Sequence, residues 1–301
     1  MKYLLLFALT LSAQPRQVVL TVDDLPRGGD VTAADKQAIR AMTAKLVAAL
    51  KGTHAIGFVN PGSEKSESLG DPELQHILKM WSAAGLELGN HTHTHPNINQ
   101  IPLAAFTADI LAAEPALTKA LGAKPLYFRH PFLHTGKDPE TRAGMSQFLA
   151  ANQYITAPVT LDNADYIYAR VYANILKSNP AKAPDIQQKY LQHMEQIFAF
   201  FEQRGKEVVG QDFPQILLLH ANQLNADAMP ALLKMIRARG YEFVSLQQAL
   251  RHPAYQLEDG YTGPGGFSWI HRWSKAKGIP GTGKGEPEPP QDIMDLYKSP
   301  K

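Results

Sequence analysis

Residues 86–96 read LELGNHTHTHP, and the rest of the chain can be interpreted outward from this stretch. Its first four residues predict a short β-strand, after which His91, His93 and His95 follow at alternate positions. Imidazole is the commonest side-chain metal ligand, and a chain without cysteine must build a transition-metal site from His, Asp and Glu. A solvated polar loop is the alternative, but three of the 11 histidines crowd into this one segment. We therefore predict a strand that ends at a metal site.

The spacing of the three histidines allows two geometries. On a strand, side chains at alternate positions share a face, which would gather His91, His93 and His95. On a helical turn only the first and the last would meet, and a pair of histidines needs a third ligand from elsewhere in the chain. The spacing alone leaves both geometries open.

Strand-like and helix-like segments alternate along the chain. Short apolar or β-branched runs predict strands at residues 17–22, 55–59, 86–89, 125–128, 154–158, 215–219 and 241–244. Helical periodicity predicts helices at residues 33–50, 71–85, 102–121, 141–151, 185–204 and 226–239, and a last short helix that ends at Arg251. Such alternation is typical of βα units around a parallel sheet.

Polar side chains follow the predicted strands where these end. Asp23 and Asp24 come after the first strand, Arg129 after the fourth, Asp165 in the segment after the fifth, and His220 after the sixth. Two adjacent carboxylates point in different directions and suit two roles, although Asp before Leu-Pro also favours a simple turn. In a barrel of parallel strands, the loops after the strand ends form the active site. This shared placement predicts one site that includes the histidine stretch.

The composition limits the class of protein. A length of 301 residues suits one large α/β domain or two small ones, and 44% hydrophobic residues allow a sizeable core. The formal net charge is +2 and no basic stretch is present, so the sequence indicates no nucleic-acid partner. Because the chain has no cysteine, its stability cannot depend on disulfides.

Residues 1–13 have the pattern of a signal peptide. Lys2 supplies the positive charge, residues 3–11 form an apolar run, and Ser12 and Ala13 are small residues near a cleavage point. The apolar run is too short for a transmembrane helix. We therefore expect a secreted or periplasmic protein with no stable membrane insertion after the signal is removed.

Two further segments have no assigned role from the pattern. The tail from residue 252 to 301 is rich in Gly and Pro and is predicted to lack regular structure. Its Trp269 and Trp273 either dock on the main domain or stack on a sugar near the site. The segment 172–208 is an insertion before the sixth strand, and its helix is either a surface decoration or a wall that shapes the cleft.

Five segments of this chain resemble the motifs of the polysaccharide deacetylase family, which is carbohydrate esterase family 4 or the NodB homology domain. In the family's order they are TVDDLP at 21–26, HTHTHP at 91–96, RHPF at 129–132, DNADY at 162–166 and LLLH at 217–220. Each motif alone is weak, but five in a fixed order are specific. The resemblance covers residues 17–251, which we take as the catalytic domain.

The resemblance implies a distorted seven-stranded (β/α) barrel and one divalent metal ion, usually zinc, with cobalt as a possible substitute. Carried over by position, the metal ligands are Asp24, His91 and His95, whereas His93 lies at a position that the family leaves variable. This favours the geometry with two histidines and a third ligand from another strand.

The resemblance also implies catalytic roles. Asp23 is expected to be the general base, with Arg129 as its orienting partner, and His220 the general acid, with Asp165 behind it. The main-chain N–H of Phe132 is expected to donate to the oxyanion. A metal that polarises the carbonyl, a carboxylate that takes the water proton and a charged histidine that protonates the amine are what amide hydrolysis requires.

The implied function is removal of N-acetyl or O-acetyl groups from a cell-wall or environmental polysaccharide, so the expected partner is an acetylated glycan. Two departures from the family stand out: Leu25 replaces a usual glycine, and Tyr166 replaces a frequent tryptophan. One alternative is a hydrolase of a small amide or ester on the same scaffold. Another is a non-catalytic carbohydrate-binding protein, although every expected catalytic position keeps the required residue type.

Overall fold

The structure is a computed structural model that describes residues 15–30 and 35–299. The predicted signal peptide, residues 1–13, lies outside the described residues, and so do the first two positions of the helix predicted at 33–50.

A parallel sheet forms the centre of the molecule. Its strands are β1 (Arg16–Leu25), β2 (Ile56–Val59), β3 (Glu87–Asn90), β4 (Tyr127–Phe128), β5 (Ile155–Thr156), β6 (Gln215–His220) and β7 (Tyr241–Phe243). The strand order is β5-β4-β3-β2-β1-β6, and β7 pairs with β1. Every pairing is parallel, and a bridge from Leu161 to Leu217 brings the chain after β5 onto β6. The sheet is thus curled towards a barrel, and the predicted fold class is confirmed.

Helices connect the strands and cover the sheet. They are α1 (Lys36–Leu50), α2 (Glu64–Leu69), α3 (Asp71–Ala83), α4 (Leu103–Leu121), α5 (Pro139–Ala151), α6 (Asp165–Ser178), α7 (Ala183–Val209), α8 (Gln223–Ala238), α9 (Leu246–Leu250), α10 (Trp269–Ala276) and α11 (Gln291–Lys298). The sequence analysis predicted neither the short polar α2 nor α6. α2 lies within residues 60–70, which were interpreted as a polar loop, and α6 begins inside the fourth motif, for which no helix was predicted. No helix in the described part of the chain is long and apolar enough to cross a bilayer.

The helix α7 of the inserted segment is part of the core. Its inward side buries Ile186, Tyr190, Met194, Phe198 and Phe201, each at most 4% exposed. Complete burial of one such side chain stabilises a fold by about 1.5–3 kcal/mol. The interpretation as a surface decoration is therefore wrong, because α7 packs with α6 and α8 into the main hydrophobic cluster.

The C-terminal tail is only partly irregular. Its loops lack regular structure as predicted, but α10 and α11 are regular helices that the sequence analysis missed. Trp269 and Trp273 are buried in the main cluster, and the N–H of Trp269 donates to Val159 O at 2.7 Å. This confirms that both tryptophans dock on the main domain. Burial leaves neither ring free to stack on a sugar.

Candidate functional site

Strand pairing brings the predicted site residues to one edge of the sheet. Asp23, near the end of β1, is the register partner of His220 at the end of β6. Asn90, which ends β3 just before His91, is the register partner of Phe128, just before Arg129. Because all these strands are parallel, the residues after their carboxyl ends face the same space.

Asp24, His91 and His95 come together as a compact group. One ligand atom from each lies within 4.8 Å of the others. Asp24 Oδ1 is 3.5 Å from His91 Nε2 and 3.4 Å from His95 Nε2. That oxygen is buried without a hydrogen-bond partner, which a cation would supply. Two imidazoles and one carboxylate with room for a further ligand match the donor set of catalytic zinc sites.

The backbone around this group adopts left-handed conformations. Asp24, Thr92 and His95 have φ of 63°, 70° and 60°. Such values are uncommon outside glycine and persist where the surroundings fix them. Here Asn90 Oδ1 accepts from Thr92 N at 2.8 Å, and Thr92 Oγ1 accepts from His95 N at 3.1 Å. The chain therefore turns after Asn90 instead of continuing as a strand.

That turn separates His93 from the other two histidines. Its N–H donates to Asp109 Oδ1 at 2.7 Å, and its ring lies over Gly62, where an added Cβ would be 2.2 Å from His93 Nε2. The structure thus does not gather three histidines on one strand face.

The tautomer of His91 is fixed by the main chain. His91 Nδ1 is 2.8 Å from Arg129 O, and since a carbonyl only accepts, Nδ1 must donate. The lone pair of Nε2 is then available on the side of Asp24. Burial, together with the nearby His95, lowers the pKa of His91 well below its usual range, which keeps the ring neutral as a ligand must be.

Asp23 lies between His91 and a buried arginine, and its Oδ2 is 3.7 Å from His91 Nε2. Its Oδ2 is 3.3 Å from Arg129 Nη1, and Arg129 is fully buried and also donates to Thr21 Oγ1 at 3.0 Å. Burial raises the pKa of Asp23 to about 6, although the Arg129 charge opposes this. The two adjacent aspartates therefore have different surroundings, as two roles require.

His220 is held by a buried carboxylate. His220 Nδ1 donates to Asp165 Oδ1 at 2.7 Å, and Asp165 Oδ2 accepts from His220 N at 2.9 Å and from Asn225 Nδ2 at 2.6 Å. Burial alone would lower the pKa of His220, but the fully buried Asp165 outweighs it and raises the pKa to about 10. The imidazolium can therefore donate a proton from Nε2.

Phe132 lies in a tight turn at the rim of the site. Phe132 and Leu133 have φ of 56° and 55°, and the Phe132 ring packs edge-on against His95 at 4.5 Å between centroids. The N–H groups of Leu133 and His134 donate to His130 O and Pro131 O at 3.1 and 3.0 Å. Those bonds of the turn leave the Phe132 N–H as a candidate donor to a ligand.

The family model for polysaccharide deacetylase matches residues 11–148, which contain the first three motifs. These motifs supply Asp23, Asp24, His91, His95 and Arg129. This match confirms the resemblance to the polysaccharide deacetylase family that the motifs indicate. The fourth and fifth motifs lie beyond the matched range, and the structure places their Asp165 and His220 beside the first three.

The chain is similar to several solved structures in the course of its backbone. The chitin deacetylase of the fungus Colletotrichum lindemuthianum is 22% identical, with a TM-score of 0.54 over 78% of this chain and 88% of that chain. The polysaccharide deacetylase of Bacillus cereus is 20% identical, with a TM-score of 0.51 over 76% and 91%. A pseudoenzyme of carbohydrate esterase family 4 from Bacillus anthracis is 18% identical, with a TM-score of 0.48 over 78% and 66%. No curated protein matches the chain in sequence.

The chain accommodates its two departures from the family motifs by local packing. Leu25 is 1% exposed and fits because Gly57 of β2 has no side chain; a Cβ there would be 2.7 Å from Leu25 Cδ2. Tyr166 is 43% exposed, and its ring centre is 6.4 Å from that of His220. The tyrosine therefore still contributes an aromatic wall beside the expected general acid.

The site opens into a cleft of about 620 Å³, a size suited to a small ligand or part of a polymer. The sequence analysis did not predict that the C-terminal tail lines part of this cleft. The tail residues in the lining are Gly266, Glu286, Pro287 and Glu288. It also missed Ile167, while Ile197 belongs to the helix whose role was left open. No motif marks the tail residues, because their placement depends on how the tail folds back.

We expect His91→Ala and His95→Ala each to lose the metal, whereas His93→Ala should retain it. A site with three protein ligands cannot spare one. The affinity for the metal should therefore fall by more than about 10–100-fold, which is the loss typical when a residue that hydrogen-bonds to a ligand is replaced. Metal content by mass spectrometry after dialysis measures this. Equal metal loss in all three variants would show a three-histidine site and contradict the arrangement of Asp24, His91 and His95 as the ligands.

Proposed function

We propose that this protein is a metal-dependent hydrolase that removes N-acetyl or O-acetyl groups from a polysaccharide. The proposal rests on one observation: a potential metal site formed by Asp24, His91 and His95 lies in the same cleft as a buried carboxylate and a histidine paired with a second carboxylate. The expected signal peptide would place the reaction outside the cell or in a periplasm.

The metal would be held by Asp24, His91 and His95. When bound, a divalent ion such as zinc or cobalt polarises an acetyl carbonyl and lowers the pKa of a coordinated water. The neutral state of His91, the tautomer set by Arg129 O and the unpartnered Asp24 Oδ1 support this assignment.

Asp23 is proposed to accept the proton of the attacking water. A general base works best when its pKa lies near the working pH, and burial brings the pKa of Asp23 to about 6. Arg129 holds one carboxylate oxygen, Oδ2, at 3.3 Å, while Oδ1 is buried without a partner. Each oxygen therefore keeps a lone pair for the proton, and Oδ2 also lies 3.7 Å from His91 Nε2 of the proposed metal site.

His220 is proposed to protonate the departing amine or alcohol. Its Nδ1 bond to Asp165 fixes the ring, and this pairing keeps the proton on Nε2. Asp165 accepts two further hydrogen bonds, from His220 N and Asn225 Nδ2, which hold its carboxylate in this orientation. Proton donation from a fixed group removes the need to expel an amide anion.

The Phe132 N–H is proposed to donate to the oxygen that gains negative charge as the acetyl carbon becomes tetrahedral. Fixed main-chain donors at such a position are among the larger contributions to acyl-transfer catalysis. Two observations support this role: Phe132 lines the cleft, and its backbone has a left-handed conformation.

An acetylated glycan is the proposed substrate class. The cleft combines aromatic residues with carboxylates, among them Phe132, Tyr166 and Asp162, which suits a sugar ring with hydroxyl donors. A small amide or ester on the same scaffold is the second candidate. A non-catalytic glycan binder is disfavoured because its affinity would not require a buried Asp23–Arg129 pair beside a buried Asp165–His220 pair.

Acetate release after metal removal and restoration tests the proposal. We expect the chelated protein to lose at least about 100-fold in rate, because water activation and carbonyl polarisation disappear together. Zinc or cobalt should restore the rate. The substrates are N-acetylated chitooligosaccharides, an O-acetylated xylan and acetamide, assayed in parallel. Full activity in a verified metal-free sample would reject metal dependence, and activity on acetamide alone would favour the second candidate.

A further inference from the structure

The turn that carries Phe132 depends on its surroundings for its shape. Two consecutive non-glycine residues, Phe132 and Leu133, have left-handed φ of 56° and 55°. Residues in this region persist only where neighbouring groups over-determine the backbone. The side chain of Phe132 is 51% exposed, so its own packing provides little restraint. Leu133 is buried in the main hydrophobic cluster and restrains one side of the turn, and contacts to the main chain of the turn add to this restraint.

Arg272 of α10 supplies such contacts from the C-terminal tail. It is 1% exposed, and its Nη2 donates to Leu133 O at 2.5 Å. Its Nη1 donates to Thr135 Oγ1 at 2.9 Å and to Asp259 Oδ2 at 3.1 Å, and its Nε donates to Phe267 O at 3.2 Å. One buried guanidinium thus joins the turn after β4 to two loops of the tail.

Aromatic rings hold the guanidinium itself in place. Its carbon lies 4.4 Å from the ring centre of Trp269 and 5.3 Å from that of Tyr261. A planar group between rings has a fixed orientation, and its fork of donors can reach several acceptors at once. A lysine has three donors on one flexible nitrogen and cannot reproduce these four bonds.

Gly266 provides a second restraint on the same turn. A Cβ built on Gly266 would lie 1.8 Å from Phe132 O, so the tail main chain is in close contact with the Phe132 carbonyl. The tail therefore touches both carbonyls of the strained pair: Gly266 lies against that of Phe132, and Arg272 binds that of Leu133.

We propose that Arg272 is a positioning residue for acetyl hydrolysis, because its bond to Leu133 O fixes the turn that presents the Phe132 N–H. This inference rests on the proposed function and deepens it. It assigns part of the machinery to a tail that carries none of the five motifs. Arg272 contacts none of Asp24, His91 and His95 within hydrogen-bond distance, so its loss should leave the metal site intact.

Arg142 offers a matched control for the inference. It also binds Asp259, at 3.6 Å, and donates to Thr262 Oγ1 at 3.1 Å, so it links the same loop of the tail to the main domain. Its side chain makes no hydrogen bond to residues 131–135. Loss of Arg142 therefore weakens tail docking without releasing Leu133 O.

The test compares Arg272→Lys with Arg142→Lys in the zinc-loaded full chain. We expect Arg272→Lys to lower kcat by about 10–100-fold, since a small displacement of an oxyanion donor has effects of this order. KM should stay within about twofold, metal content should be unchanged, and Arg142→Lys should retain kcat within about twofold. Thr135→Val, which removes one bond of Arg272, should lower kcat by a smaller factor and serves if Arg272→Lys does not fold.

A binding measurement separates this inference from the proposed function. Methylphosphonate resembles the tetrahedral oxyanion, and calorimetry should show weaker binding to zinc-loaded Arg272→Lys than to wild type and Arg142→Lys. Unchanged kcat and unchanged methylphosphonate affinity in folded Arg272→Lys would overturn the role of Arg272 while leaving the proposed function intact. Equal losses in the Arg272 and Arg142 variants would reduce Arg272 to a general docking residue. An inactive wild type would reject the proposed function, and the calorimetric comparison would still decide the role of Arg272.

Discussion

Asp23→Asn is expected to keep the bound metal and to lower kcat by about 10²–10⁴, the usual loss when a general base is removed. The amide cannot accept a proton from water, yet Asp23 is not part of the compact Asp24, His91 and His95 group. Asp24→Asn is the matched neighbour and should weaken metal binding instead. Its activity should recover in part when excess zinc is supplied.

The measurement pairs kcat with metal content for both variants. Loss of Asp23 also leaves the fully buried Arg129 without its carboxylate, and breaking a buried ion pair typically costs about 3–5 kcal/mol of stability. Rates should therefore be taken well below the melting temperature of the variant. A metal-depleted Asp23→Asn that is rescued by excess zinc would reverse the two assigned roles.

The same carboxylate predicts a pH dependence. Burial raises the pKa of Asp23 to about 6 in the metal-free protein, so the folded state binds a proton at a pH where the unfolded chain has lost it. Its burial therefore destabilises the metal-free fold progressively as pH rises from about 4 to 6. In the active protein a bound cation would lower this pKa, and kcat/KM should fall on the acid side at or below about pH 6.

Much of this fold can be predicted from local patterns in the sequence. β1 and β6 each contain a buried and mainly apolar run, at residues 18–22 and 216–219, which is followed directly by a polar residue of the site. The positions of Asp23 and His220 could therefore be predicted without tertiary information. The bend after Asn90 could not, because it also depends on Asp109, which accepts from His93 N and lies 16 positions further along the chain.

The tail shows where local patterns stop being informative. Gly and Pro between its helices indicate loops, and that composition does not reveal that Arg272 is buried against the turn after β4. Its partner Leu133 lies 139 positions earlier in the chain. The sequence does not show that Arg272 is buried, because its burial depends on the rings of Trp269 and Tyr261. The arginine could be interpreted as part of the site only once α10 was known to be a helix.

For the inserted segment, residues 172–208, the sequence pattern was visible but did not decide between two interpretations. Phe198 and Phe201 were visible in the sequence, but their pattern fitted both a wall of the cleft and packing on the barrel. The structure shows that α7 packs into the main cluster, while its Ile197 also lines the cleft. Replacement of residues 172–208 by a linker would therefore expose the core, and the contribution of α7 to the cleft is better examined by Ile197 substitutions.

The loss of kcat in His220→Gln should depend on the leaving group of the substrate. For N-acetyl substrates we expect kcat to fall by about 10²–10⁴, since an amine must be protonated to depart. For 4-nitrophenyl acetate the fall should be much smaller, because nitrophenolate leaves without a proton. The ester thus serves as an internal control for folding, metal binding and water activation within one variant.

Asp165→Asn should act through His220 and produce a different signature. Asp165 raises the pKa of His220 to about 10, so the amide variant should let His220 lose its proton at lower pH. The basic limb of the kcat profile for N-acetyl substrates should then shift to lower pH, while the rate with 4-nitrophenyl acetate changes little.

An equal loss on both substrates in folded, metal-loaded His220→Gln would show that His220 does not serve as the general acid. It would instead indicate that His220 contributes mainly to the charge or shape of the cleft, because only leaving-group protonation distinguishes the two substrates.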